Sequence, residues 1–423
     1  MKFKKEFALY LALLAYAKTG GAFDWYLDPG FIFSERYTNN LLLAPPQSAT
    51  PRISTFISTF SPNLRLGYLT NNSEGNVAFQ YNQYIYHNDE SFDFGEKVLN
   101  ANHIFKGGER WKTNITGKYA IESSVTTQLD VNSGGYVAAQ LPRTTRSINP
   151  EFSYTLTDKD TLALGVSYLD VNFDRHPNGA FINYISKQAY TTVNHSYTQN
   201  LSFNLNTSYS WYDAGGGPSG TYPISSIVDI ISAQNSKTFS FQLGTQYTPI
   251  ENIVLKASAG IRQTDSKSSV QRCYYETICL DPQRYSNNAA GNIYSASLQK
   301  TFERGNVLLS ANQQLNPAST GSQQQSTSFN ANGLYELTER WSLGISGIYQ
   351  ITNTVAASQI FNNYNRTYYN ISPNIQWKWT PDVNLQLTYT YLNQHFSSQQ
   401  TTASSDSLML QLNYQPPINR QVK

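Results

Sequence analysis

The sequence predicts one all-β domain: a transmembrane, antiparallel, up-and-down β-barrel of about 18 strands, within a range of 16–18. Three observations predict it. Stretches of about ten residues alternate apolar side chains with polar ones that carry no charge, a period of two that belongs to strands. Only 14% of the 423 residues are charged, against about 25% in an average soluble domain. Short turns alternate with long polar segments, as in barrels with periplasmic turns and extracellular loops. A soluble sandwich or β-solenoid shares the alternation but not the combination. Mean hydropathy is −0.45, and no apolar run approaches the roughly 18 residues of a membrane helix.

In chain order, Met1–Ala22 reads as a secretory signal. Lys2, Lys4 and Lys5 form the basic start, Phe7–Ala17 the apolar core and Gly20-Gly21-Ala22 the small-residue cleavage site. These residues hold four lysines and one glutamate, so the precursor's net charge of +2 becomes −1 in the remainder, residues 23–423. The slight basicity therefore belongs to export and gives no reason to expect a nucleic-acid partner. The first mature strand is predicted near Asp28–Thr38 and the second over Ile53–Tyr68. Between them Leu41-Leu42-Leu43 needs a rim or lipid to cover it.

Eight short turns follow: Asn71–Gly75, Gly107–Arg110, Thr157–Asp160, Thr198–Asn200, Thr248–Asn252, Glu303–Asn306, Thr338–Arg340 and Thr380–Asn384. Their Gly, Pro, Asn and Asp content suits hairpins. Tyr154, Tyr197, Tyr247, Phe302, Tyr335 and Trp379 precede them as an interfacial girdle. Eight hairpins with one strand before and one after make 18, an even number, with both ends in the periplasm. Alternation is clearest in Leu201–Trp211, Phe239–Tyr247, Trp341–Ile351, Leu385–Tyr391 and Leu408–Tyr414. It is poor near Val98–Phe105 and Asn292–Phe302. The last strand has the form of an assembly signal for the barrel-assembly machinery, with the tail Gln415–Lys423 after it.

At Ser34-Glu35-Arg36-Tyr37-Thr38-Asn39-Asn40, and again at Ser61-Pro62-Asn63-Leu64-Arg65-Leu66, the chain resembles a family of proteobacterial outer-membrane barrels. These accompany exosortase/PEP-CTERM and exopolysaccharide loci. Asn39 stands where the family more often has Asp. The resemblance implies a role in the envelope or in export of polysaccharide or protein, and it supplies no catalytic residues. The Ser/Asn-Pro element recurs at Asn149-Pro150 and Ser372-Pro373, where proline suits a bulge or strand end.

The residues offer little for catalysis or cofactors. His87, His103, His176, His195 and His395 show no metal-ligand spacing. His195-Ser196 would have to converge on the outer surface to make a lipid-facing hydrolase, whereas adjacent strand residues point to opposite faces. Asp170, Asp174 and His176 lie near one rim as loop polarity. Cys273 and Cys279, on a predicted outer loop in an oxidising compartment, are expected to form a local disulfide. Gly215-Gly216-Gly217 lacks the strand-to-helix setting of a phosphate cradle. In the predicted loop Asp213–Gln234, Ile224, Ile227, Val228, Ile230 and Ile231 fall near helical spacing. They suit either a short helix on the rim or a constriction folded into the pore.

Facing the lumen on this register are Arg65, Lys112, Lys118, Lys256, Arg262 and Lys378, with Glu151 and Glu336. They form either a basic lining that favours anions or a mixed set that neutralises itself. Rim tyrosines suit stacking on sugars or a place in the girdles. The expected function is passage of solutes or export through the lumen, in contact with outer-membrane lipid, with small solutes or polysaccharide as partners and no cofactor. The alternatives are a structural or adhesive barrel with a plugged lumen and, more remotely, a barrel phospholipase or protease.

Overall fold

The structure, a computed structural model, describes residues 24–46, 51–127, 141–174, 182–221, 228–274, 278–317, 323–355, 365–397, 400–417 and 419–422. For residues 127, 216–221, 228–232, 270, 272–274, 278–279 and 419–422 only the backbone is described. The strands are β1 (Asp24–Thr38), β2 (Thr55–Leu69), β3 (Ser73–Tyr86), β4 (Phe94–Gly107), β5 (Trp111–Ser123) and β6 (Pro142–Thr155). Then come β7 (Asp160–Phe173), β8 (Tyr184–Ser196), β9 (Leu201–Thr221), β10 (Val228–Ile250), β11 (Ile253–Tyr274) and β12 (Gln283–Phe302). The last six are β13 (Gly305–Pro317), β14 (Gln323–Glu336), β15 (Trp341–Thr354), β16 (Arg366–Lys378), β17 (Val383–Phe396) and β18 (Thr401–Tyr414). Together they make one closed antiparallel barrel of 18 strands.

Closure removes the free edges that a sheet otherwise exposes. β1 pairs along its length with β2, Asp24 opposite Leu69 through Thr38 opposite Thr55. Its other side takes β18, Phe31 opposite Tyr414 through Thr38 opposite Ser407. Below Phe31 the short segment Asn419–Val422 takes over, against Leu27 to Asp24. Pro416 and Pro417 supply no N–H to a ladder, which separates that segment from β18. The seam is locked where the resemblance motif ends. Asn39 donates to Asp406 Oδ2 at 3.0 Å and accepts from the Asp406 backbone N–H at 2.9 Å. Asn40 donates to the carbonyls of Ser404 and Ala44, both at 2.9 Å.

Threonine builds four of the short turns in one way. Its Oγ1 accepts two N–H groups that the strands leave unpaired. Thr157 holds Lys159 and Asp160, Thr198 holds Asn200 and Leu201, Thr338 holds Arg340 and Trp341, and Thr380 holds Asp382 and Val383. All eight predicted turns join consecutive strands, from β2–β3 to β16–β17. The exposed Tyr197, Tyr247, Phe302, Tyr335 and Trp379 stand beside them. Trp341 stacks on Trp377, with 5.5 Å between ring centroids, and extends that girdle.

Above the girdle the outward register is apolar. Phe203, Leu243, Ile345, Leu387 and Leu410 are all exposed to the surroundings. A continuous exposed apolar belt around a closed barrel is stable only against lipid. β9 pairs its Phe203, Leu205 and Thr207 with Thr245, Leu243 and Phe241 of β10. That row carries the belt across the middle of the barrel.

Two boundaries differ from expectation, and the two poorly alternating strands are present at full length. β1 begins at Asp24 because Trp25 and Leu27 continue the outward alternation and pair with Tyr68 and Leu66. The poorly alternating segments are full strands, β4 and β12, whose small residues on both faces blur the period. Val228, Ile230 and Ile231 lie in β10, opposite Tyr274, Arg272 and Gln271 of β11, so helical spacing does not describe them. Pairing within a long hairpin overrides a local pattern. Ile224 and Ile227 lie outside the described residues.

Candidate functional site

Strand number sets the size of the lumen. Eighteen strands about 4.8 Å apart and tilted by about 40° enclose a wall roughly 35 Å across. Side chains reaching roughly 6 Å inward from each wall leave a wide bore. The extensive strand contacts all join hydrogen-bonded neighbours, as in a hollow barrel. Any narrowing must therefore come from connections that fold inward.

Two apolar clusters stand on the inner face at the outer mouth. Leu41 and Leu42, from the β1–β2 connection, bury against Ile57 of β2, Tyr86 of β3 and Val125 of the one-turn helix Ser124–Thr127. Ile57 and Tyr86 are cross-strand partners on the inward register, so Leu41 and Leu42 are covered from inside the mouth. Glu96 ties this corner together, accepting from Tyr84 OH at 3.1 Å, Ser123 N at 3.1 Å and Thr126 Oγ1. Further round, Val171 and Phe173 of β7, Ile182, Tyr184 of β8, and Tyr212 and Ala214 of β9 form a second apolar cluster. The β1–β2 and β5–β6 connections thus pack together against the inner wall at this corner.

The eight candidate lumen charges stand on the inward register. Arg65 lies between exposed Leu64 and Leu66, Lys112 beside Trp111, Glu151 beside Phe152, Lys256 beside Leu255, Arg262 beside Ile261 and Glu336 beside Tyr335. Lys118 follows Lys112 by even spacing along β5, and Lys378 is next to the outward Trp377. The structure pairs half of them. Arg65 Nη1 is 3.8 Å from buried Asp28, and Lys118 Nζ is 2.8 Å from Glu122, which also faces Arg143 at 3.7 Å. Glu151 accepts from Tyr190 OH at 2.7 Å. Arg262 donates to Thr264 at 3.1 Å and to Gln325 at 2.6 Å. Its guanidinium lies against Gly291, where a Cβ would fall 2.8 Å from Nη2.

Lys112, Lys256, Lys378 and Glu336 make no ion pair among the described residues. All four stand next to short turns, and Lys106 is the cross-strand partner of Lys112. Unpaired positive charge thus gathers at the turn-side mouth, with Glu336, Glu74 and Asp24 as carboxylates at that level, Asp24 and Glu74 both flanking Leu69. Sequence reasoning missed Asp28, Glu96, Glu122, Arg143 and Arg366. Of these, Arg366 is buried at the outer end of β16, where it donates to Gln394 at 2.6 Å. The signal for Arg366 and Arg143 was available, since even spacing from Lys378 or Glu151 along each strand puts them on the lumen face.

Other candidates are dispersed. Cys273 and Cys279 are direct backbone partners at the tip of β11, and their side chains lie outside the described residues. Asp170 pairs with Arg146 at 3.3 Å on the outer face, and His176 lies outside the described residues. His195 faces Asp160 across the turn at 2.7 Å, not Ser196. A different serine and histidine do meet on the outer surface: Ser58 Oγ is 2.8 Å from His87 Nε2. The serine hydroxyl donates to Glu35 Oε2 at 2.5 Å, so its proton is committed to a carboxylate. No carboxylate stands on the second imidazole nitrogen among the described residues.

No protein-family model matches the chain, and no characterised protein matches it in sequence. Solved structures of similar shape include OpdQ of Pseudomonas aeruginosa, 10% identical over 93% of this chain and 98% of that one, with a TM-score of 0.43. The outer membrane channel DcaP of Acinetobacter baumannii is 10% identical over 94% and 99%, with a TM-score of 0.44. The ferric-catecholate import receptor Fiu of E. coli is 9% identical over 94% and 82%, with a TM-score of 0.46. At these values the architecture rests on the chain's own geometry. An even-stranded closed barrel with an apolar outer belt, aromatic girdle and short turns at one end is an outer-membrane barrel.

Proposed function

We propose that the protein is a porin-like channel that passes small hydrophilic solutes across the outer membrane, with a preference for anions. The observation that carries this is the wide lumen lined by paired and unpaired polar groups, with unpaired lysines at its turn-side mouth. Charge rings in a pore select by sign, and the four lysines Lys106, Lys112, Lys256 and Lys378 face the three carboxylates Glu336, Glu74 and Asp24 there. The apolar packing at the outer mouth favours a second reading, a structural barrel narrowed to closure. Single-channel recording in planar bilayers separates them: steps of current with an anion-selective reversal potential support the channel. A silent membrane containing folded protein supports the closed barrel. We further propose an envelope or exopolysaccharide setting, on the resemblance carried by Ser34–Asn40 and Ser61–Leu66. Unchanged surface polysaccharide in a deletion strain would remove that setting.

A further inference from the structure

Charge on the outward face of the outer rim is unevenly placed. Beside the seam it is acidic, with Glu35 in β1 and Asp406 in β18. Halfway round the barrel, β8–β12 present Lys187, Lys237, Lys267 and Arg284, with Asp213 and Asp265 among them. Register gathers these residues. Lys187 stands opposite Trp211, Trp211 opposite Lys237, and Lys237 opposite Asp265. The next row outward runs Asp213, Asn235, Lys267, Ser286, and Arg284 follows one pair further on, opposite Ser269. All four cations are exposed, and none makes an ion pair among the described residues.

The patch has shape as well as charge. One recess of about 390 Å³ is lined by Lys187, Trp211, Asp213 and Asn235. Another of about 330 Å³ is lined by Asp213, Asn235, Lys267 and Arg284. Sharing Asp213 and Asn235, the two form one shelf. Directly beneath it the outward register turns apolar at Phe239 and Ile261, both exposed to lipid. The shelf thus sits where the apolar belt meets water on the loop side, at the height of outer-leaflet headgroups. Neighbouring strands lie about 4.8 Å apart, so Lys187 and Lys237 flank Trp211 with roughly 10 Å between their backbones. β9–β12 run 20–23 residues, well beyond the 9–11 that span a membrane. The rows of Lys187 and Lys267 fall at the last rungs that β8 covers, and Arg284 stands on the extra length beyond them.

We propose that this shelf binds the phosphorylated headgroup of an outer-leaflet glycolipid. Lys187, Lys237, Lys267 and Arg284 take the phosphates, Trp211 sits at the interface, and the acyl chains lie down the wall over Phe239 and Ile261. Unpaired cations facing a membrane interface are stabilised by anionic headgroups, and basic recesses between strands hold them in place.

The test uses full-length protein refolded in detergent, with diphosphoryl lipid A as probe and a phosphate-free glycolipid of matched acyl chains as control. Native mass spectrometry counts bound lipid. The wild type retains the diphosphoryl lipid, millimolar inorganic phosphate does not displace it, and K187Q/K237Q/K267Q/R284Q lowers its affinity by at least about tenfold. Lys97→Gln, a lone outward lysine elsewhere on the rim, leaves it unchanged. Heat-dependent gel mobility verifies folding. If the fourfold variant does not fold, K187Q/K237Q and K267Q/R284Q replace it, each with a smaller loss expected. Equal retention by folded variants and wild type, or equal binding of the phosphate-free lipid, overturns the proposal.

Discussion

Tyr190 reaches Glu151 by lying across Gly165. The three residues form one row, Glu151 opposite Gly165 and Gly165 opposite Tyr190, and the phenol donates to the carboxylate at 2.7 Å. A Cβ on residue 165 would fall 2.1 Å from Tyr190 Cζ. Gly165→Val therefore displaces the ring and strands Glu151 without its donor. Urea unfolding in lipid vesicles should show a loss of about 1–3 kcal/mol. Tyr190→Phe keeps the ring and loses only the hydrogen bond, so it should cost less. A Gly165→Val barrel as stable as the wild type would contradict this packing.

The seam depends on a neutral amide facing a carboxylate. Asn39 both donates to and accepts from Asp406. Asn39→Asp sets two carboxylates against each other and should destabilise closure. Adding Asp406→Asn restores one donor and one acceptor and should recover most of the loss. A double-mutant cycle should give a coupling of about 1.5–3 kcal/mol. Additive effects would mean the contact does not bear on closure.

The outward and inward registers predict opposite tolerance at neighbouring positions. Ile345 is 56% exposed on the lipid side, and Ser346 faces the lumen. Ile345→Lys should cost about 2–4 kcal/mol near the bilayer midplane. Ser346→Lys should change folding stability little and leave a measurable change in ion selectivity. Reversed costs would mean the strand is shifted by one residue.

Asp160, on the turn side, should titrate below the ordinary carboxylate range. Thr157 Oγ1 donates to its Oδ2 at 2.6 Å, and His195 Nδ1 lies 2.7 Å from Oδ1. The Thr157 hydrogen bond is the larger cause and the His195 hydrogen bond the next. A carboxyl with a lowered pKa favours the folded turn above the unfolded value and loses that contribution as pH falls through the folded one. Carboxyl carbon shifts followed by NMR should place the midpoint low, and Thr157→Ala should raise it more than His195→Gln. An unshifted midpoint would rule out both hydrogen bonds in solution.

Inward folding of the β1–β2 connection should limit flow. Leu42→Ala with Val125→Ala removes apolar side chains packed against Ile57 and Tyr86, and should raise single-channel conductance. Unchanged conductance would place the narrowest point elsewhere.

How much was legible in the chain follows from the range of each interaction. Period-two alternation is local, so Leu201, Phe203 and Leu205 declare a lipid face and Ser202, Asn204 and Asn206 a wet one without reference to any partner. Thr157, Thr198, Thr338 and Thr380 act within their own turns, and eight such turns set the strand count. The same alternation put Arg65, Lys112, Glu151 and Lys378 on the inner face. It is faint in β4 and β12, where small residues occupy both faces, and it misleads at Val228–Ile231, where pairing to β11 outweighs apparent helical spacing.

The sequence by itself determined an even-stranded barrel with one apolar and one polar surface, because side-chain direction in a strand depends only on parity. Only the tertiary structure decided what meets what. Asn39 finds Asp406 across 367 residues, and Ser58 of β2 lies between Glu35 of β1 and His87 just past β3. Leu41 and Leu42 turn into the mouth, and four cations from β8, β10, β11 and β12 gather on one outer shelf. Those encounters depend on strand register around a closed circle and on how the loops fold back. Neither is encoded within any single strand.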